Sequence, residues 1–167
     1  MSERVPVDLV GVRIQLPSNQ PIVLLRERSG TRYLPIWIGA VEATAIAYAL
    51  EGVESPRPTT HDLLKMVTEA LGSQVERVVV TSLRDSVFYA DLDLVRGPDH
   101  VTLSVRPSDA LALAARTGSP IFATVEVLDD AGIELEGEDE ELTEDEIDRF
   151  REFLDDIDPG DFEVPTS

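Results

Sequence analysis

The hydrophobic period of the chain changes several times, and each change marks an element. From Val5 to Gln15 apolar positions alternate, first as Val5, Val7 and Leu9, then as Val10, Val12 and Ile14. A period of two is that of a strand, and the phase jump at Val10-Gly11 predicts a bulge. Pro17-Ser18-Asn19-Gln20 predicts a turn, Ile22–Leu25 a second strand and residues 27–31 a polar hairpin loop. Tyr33–Ile38 predicts a third strand with Leu34, Ile36 and Ile38 on a buried face. Pro35 cannot donate to a ladder, which favours an edge position.

After Gly39 the pattern turns helical. Val41–Glu51 is apolar on nearly every side, which predicts a buried helix, ended by Gly52. A second helix is expected over Thr60–Leu71, with Thr59 and Asp62 as a capping box and Leu63, Leu64, Val67, Ala70 and Leu71 as a core stripe. Gln74–Leu83, Val87–Val95 and Val101–Val105 read as strands, Ser108–Thr117 as an Ala-rich helix stopped by Gly118, and Pro120–Val127 as a last strand. This order is not a regular strand–helix alternation. It predicts an α+β fold, a mixed sheet with helices packed on it. Each half runs three strands and then a helix that opens on Arg-Pro, a hydroxyl and an acid, which raises an internal duplication as a possibility.

The domain is expected to span residues 1–130. Residues 131–167 change character and predict an acidic linker followed by a short amphipathic helix, with Thr143 as N-cap and Ile147, Phe150, Phe153, Leu154 and Ile157 at helical spacing. That extension dominates the charge. The whole chain carries −19, of which residues 1–130, with 12 basic and 17 acidic side chains, hold only −5. Such a balance opposes tight non-specific binding of polyanions. The tail reads as a solubilising segment, a recruiter of a protein partner, or a screen over a basic cleft.

Absent cysteine excludes a disulfide framework, a thiol nucleophile and a cysteine-based zinc site. The first residues have charges and a proline where a signal peptide needs an apolar core, and no run approaches the ~18 apolar residues of a membrane span. A cytoplasmic protein is expected. The apolar helix and Trp37 near Tyr33 suggest a homodimer or a higher homo-oligomer.

The candidate chemistry gathers at helix starts. Arg57 and Arg106 each precede a proline, which holds them extended just ahead of a helix N-terminus. A guanidinium, free backbone N–H groups and a hydroxyl such as Ser108 suit a phosphate oxygen. The competing account is a pair of buried arginines locked onto Glu42, Asp62 or Asp109. His61 suits a general acid or base, or else a packing contact in a first helical turn. Glu42, Asp62 and Asp109 fall in first turns, where they complement the helix dipole or could ligate Mg²⁺ or Mn²⁺. Asp91 and Asp93 read as a solvated strand face, and His100 as an exposed turn residue. No phosphate-cradling glycine loop, zinc-protease helix, nucleophile elbow or dinucleotide fingerprint is present.

Leu34-Pro35-Ile36-Trp37-Ile38-Gly39, Glu42-Ala43, Arg57-Pro58-Thr59-Thr60-His61-Asp62-Leu63, Arg106-Pro107-Ser108-Asp109-Ala110-Leu111-Ala112-Leu113-Ala114 and Pro120-Ile121 occur in this order. Together they resemble the bifunctional nuclease domain family over about Val5–Leu128. The resemblance implies an α+β fold and hydrolysis of DNA and RNA. On that reading Glu42, Asp62 and Asp109 would hold a divalent cation, Arg57, Arg106 and Ser108 would contact substrate, and His61, Asp62 and Glu42 would be catalytic. Ser104 stands where the family often has an aspartate. The alternative expectation is a non-catalytic regulatory module that binds a small ligand or a protein.

Overall fold

The structure is a computed structural model and describes residues 3–135. Its framework is one eight-stranded mixed sheet in the order β6-β5-β4-β7-β1-β2-β3-β8. The strands are β1 (Arg4–Gln15), β2 (Gln20–Glu27), β3 (Arg32–Trp37), β4 (Gln74–Arg84), β5 (Val87–Arg96), β6 (Asp99–Val105), β7 (Ile121–Thr124) and β8 (Ile133–Glu134). Within the sheet, among the described residues, two antiparallel meanders, β1-β2-β3 and β4-β5-β6, are joined by β7, antiparallel to β1 and parallel to β4. Each meander is followed by a helix, α1 (Ala40–Glu51) after the first, and α2 (Thr60–Ala70) then follows α1. α3 (Pro107–Thr117) follows the second meander, and α4 (Val125–Ala131) comes last.

The registers put Val7, Val23, Leu25, Leu34 and Ile36 on one sheet face with Val78, Val80, Ala90, Leu92, Ile121 and Ala123. All of these are buried. The expected bulge lies between Leu9 and Gly11, and it is what brings Val12 onto the same face opposite Val23. α4 contacts both β3 and β4, which are separated by three strands, so the sheet curls around it.

α3 is the central helix and packs against α1, α2, β4 and β5. Its Ala110, Leu111, Ala112, Leu113 and Ala114 are all buried. Alanine at these positions, with Ala43 and Ala47 on α1, lets the two helices approach closely.

Four sequence expectations change here. α1 is buried only on the side of Ala43, Ile46 and Ala47, while Val41, Tyr48 and Leu50 are exposed. The stripe of α2 does not face the core: Leu63, Leu64, Val67 and Leu71 are exposed, and His61 is the one buried residue of the helix. Periodicity identified an apolar face but could not say what would cover it. The last strand ends at Thr124, whose hydroxyl accepts the Val127 N–H and caps α4. A Thr within a β-branched run is equally a strand residue and an N-cap, and here the cap wins. Finally, Asp93 is not solvated; Arg77 binds it at 3.0 Å and Thr102 donates to it at 2.7 Å.

Pro35 sits beside the short final strand. β8 pairs with β3 only at Arg32 and Tyr33, so the missing Pro35 N–H interrupts no ladder. Arg32 fixes this edge by binding Glu27 and Asp129. Residues 136–167, with the expected acidic linker and amphipathic helix, lie outside the described residues.

Candidate functional site

Three helices begin around one point. Glu42, His61 and Asp109 each occupy the first turn of α1, α2 and α3 respectively. Arg106, the N-cap of α3, is extended at φ −69° and ψ 139°, the geometry expected before proline. Its Nε and Nη2 donate to Asp109 Oδ2 at 2.9 and 2.8 Å, and Nη2 also reaches Glu42 Oε1 at 3.2 Å. Asp109 Oδ1 faces His61 Nε2 at 3.0 Å. The order Glu42–Arg106–Asp109–His61 therefore forms a continuous chain of contacts. Arg106 is its exposed member, with a side chain 65% exposed, and His61 its deepest, at 8%.

A carboxylate can only accept, so the bond between His61 and Asp109 requires the proton on Nε2. In the neutral ring that leaves the lone pair on Nδ1. The Glu42 carboxylate folds back over the start of its own helix. A Cβ on Gly39 would fall 2.4 Å from Glu42 Oε2, so any side chain at position 39 would displace it.

Asp62 does not join this chain. Its Oδ1 accepts from Arg116 Nε at 2.6 Å, and its Oδ2 accepts both the Thr59 N–H at 2.9 Å and the Thr59 hydroxyl at 2.8 Å. The expected capping box of Thr59 and Asp62 is thus present, and the guanidinium is an addition that the sequence reading did not find. Arg116 lies seven residues after Asp109 on α3, two turns along the same helical face, and this spacing is the signal that could have found it. His61 and Asp62 are neighbours, yet they grip α3 at points about 10 Å apart along its axis. The start of α2 is held on α3 by two bonds, one at Asp109 and one two turns later at Arg116.

The Asp62 carboxyl is held at about 2, below its ordinary 3.8, by Arg116 first and by Thr59 second. A folded value below the unfolded one adds stability above the unfolded value and loses it as pH falls through the folded one. The Asp62 side chain is 38% exposed, so solvent screens the gain. Wild type is expected to melt above Asp62→Asn near neutral pH, with the gap closing as pH falls from about 4 to about 2. A melting-temperature series against pH checks this; a gap that persists at the acid end would remove the assigned cause.

Of the other sequence candidates, Ser108 is buried in the first turn of α3, and Arg57 is exposed, with no ionic or hydrogen-bonded partner among the described residues. Ser104 lies on β6 directly across from Asp91. His100 is exposed as expected, but it lies on β6 opposite Val95 rather than in the turn, and it approaches Glu76 at 3.4 Å. Glu42 and Asp109 both touch one guanidinium nitrogen, so their oxygens converge, whereas Asp62 spends both oxygens elsewhere. Among the described residues no three His, Cys, Asp or Glu side chains come together as a metal-binding group. The Glu42–Asp109 pair fits the demand of Mg²⁺, which needs only one or two carboxylates beside water and substrate oxygens. No helix among the described residues is long and apolar enough to cross a membrane.

The family model of the bifunctional nuclease domain matches residues 23–136. An uncharacterised protein of Mycobacterium tuberculosis is 48% identical over 163 residues, covering 95% of this chain and 98% of the relative. Bifunctional nuclease 2 of Oryza sativa subsp. japonica is 30% identical over 115 residues, 66% of this chain and 35% of the relative. Bifunctional nuclease 2 of Arabidopsis thaliana is 31% identical over 112 residues, 64% and 34% respectively.

Proposed function

Because the chain belongs to the bifunctional nuclease domain family, we propose that it hydrolyses phosphodiester bonds of DNA, RNA or both where α1, α2 and α3 begin. One observation carries this reading: three helix N-termini, each a partial positive charge with free N–H groups, meet around an exposed guanidinium. That environment suits a phosphate. Arg106 uses Nε and Nη2 on its two acids, which leaves Nη1 for a phosphate oxygen. Arg57, exposed and carried on the loop before α2, would meet the flanking backbone. Glu42 and Asp109 would hold a divalent cation, Mg²⁺ or Mn²⁺. Such an ion, when bound, polarises a phosphoryl oxygen and makes water a better nucleophile. His61 Nδ1 takes the proton of the attacking water, with Asp109 fixing the ring. Asp62 positions His61 rather than reacting.

The test is cleavage of single- and double-stranded DNA and RNA by the full chain with Mg²⁺ or Mn²⁺. His61→Ala is expected to slow it by about 10²–10⁴-fold, and Glu42→Gln to weaken its dependence on metal. Full activity surviving both changes would place the reaction elsewhere. A second reading, a non-catalytic ligand- or protein-binding module, is favoured by one fact: Glu42, Asp62 and Asp109 already have arginine partners. Absence of cleavage together with no thermal shift from millimolar divalent metal would select it.

A further inference from the structure

Positive charge around the three helix starts forms a short row with acidic ends. Arg57 lies four residues before His61, exposed and without an ionic or hydrogen-bonded partner among the described residues. Lys65 lies four residues after His61, one turn along α2, and lines a groove of about 390 Å³ with Ala115 and Arg116 of α3. It too has no such partner among the described residues. Arg106 joins the row through Asp109, the acid that His61 binds. Beyond these groups the sign changes. Glu69, a further turn along α2, lines the same groove, and Glu54, three residues before Arg57, is exposed.

The other arginines do not lengthen the row. Arg28 and Arg32 are held by Asp8, Glu27 and Asp129. Arg32 opens β3, and α1 follows the far end of that strand, six residues or about 20 Å away. Arg77 is held by Glu76 and Asp93, and Arg116 by Asp62. Arg96 pairs in register with Asp99 at the start of β6, so the seven residues of that strand, again about 20 Å, separate it from Arg106.

We propose that the substrate is a short single strand, an oligonucleotide of about two to four nucleotides, and that longer strands are held no more tightly by their extra phosphates. The inference rests on the phosphodiesterase reading above and narrows it. Arg57, Arg106 and Lys65 can neutralise about three phosphates. Past them a longer strand meets Glu54 at one end and Glu69 at the other, on a chain that carries −19 overall, so each added phosphate is repelled rather than gripped. A duplex brings denser charge to the same place. It is also stiff, whereas the His61 side chain is 8% exposed, so the bond to be cut must lean inward, as a flexible strand allows.

The test is binding of labelled oligothymidylates and oligouridylates to the full chain, measured by fluorescence anisotropy in EDTA over a series of sodium chloride concentrations. Counted per binding frame, affinity should rise from the dinucleotide to the tetranucleotide and then stay level to within about threefold up to a strand about twenty long. Its logarithm should fall with the logarithm of salt at a slope of about −2, the value for three phosphates of a single strand. Glu54→Lys with Glu69→Lys extends the row at both ends and leaves the proposed reacting groups in place. It should tighten the long strand at least ~10-fold, leave the dinucleotide unchanged and steepen the slope by about 1.4. Circular dichroism checks folding, and each single replacement should shift the long strand in the same direction if the double variant does not fold. A wild-type slope of about −4 or steeper, a long strand bound about tenfold or more tighter per frame than the tetranucleotide, an unchanged length profile in the variants, or no binding at any length would each overturn the proposal. Cleavage of the same strands with Mg²⁺ separates it from the reaction: the expected binding without cleavage of any length removes the hydrolytic reading alone, and cleavage with a steep salt slope removes the length preference alone.

Discussion

Arg106→Ala is expected to lower cleavage by about two to three orders of magnitude with little change in melting temperature. The Arg106 side chain is 65% exposed, so its removal opens no cavity. What is lost is the group that joins Glu42 to Asp109 and that, in the proposed reaction, presents a positive edge to phosphate. Without it, two carboxylates of the same site lose their shared counter-charge and repel one another. Arg106→Lys should recover only a minor part, because an ammonium cannot hold two acids and a phosphate in one planar fork. Arg57→Ala gives the comparison: a freely exposed guanidinium should affect binding of long substrate more than the chemical step. Steady-state kinetics separate the two, as a fall in kcat for Arg106 and a rise in KM for Arg57. A folded Arg106→Ala protein that cleaves within a few-fold of wild type would remove this residue from the reaction.

Leu111→Ala is expected to cost about 2–5 kcal/mol. Leu111 is fully buried at the middle of α3, the one helix in contact with α1, α2, β4 and β5. Surrounding alanines cannot expand into the space, so the cavity persists. At roughly 2–4 °C per kcal/mol for a chain of this size, the melting temperature should fall by about 4–20 °C. Urea unfolding measures it directly, and a loss below about 1 kcal/mol would mean that α3 is not the floor of the core. The site should suffer too, because Arg106, Asp109 and Arg116 all ride on this helix.

The strands were legible because their alternation has a physical origin that local residues control. The bulge after Leu9 shows this well: a single phase slip in the apolar pattern predicted where the register would shift. The helix starts were equally legible, since Arg-Pro and Thr-x-x-Asp act within one turn. What could not be read was which surface each helix would meet. The stripe of α2 looks like any core stripe, yet the domain leaves it open. Thr124 belongs to a β-branched run until the chain turns beneath it. At the site, Glu42, His61, Arg106 and Asp109 were named from the sequence, and the structure brings them together. It separates Asp62 from them through Arg116, which shares a face of α3 with Asp109 but meets Asp62 only where α2 crosses that helix.

The four residues of β7 have a consequence for how the protein is made. Among the described residues they form the one strand that joins the two meanders, and they emerge from synthesis after both. Each meander can zip up locally as it appears, but the sheet stays in two pieces until residues 121–124 slot between Arg4–Val7 and Val78–Val80. Until then both flanks of the gap are open edges, able to recruit a stray strand. A nascent chain stalled before this insertion would be the form most prone to aggregate, and the one on which a chaperone would find most to hold.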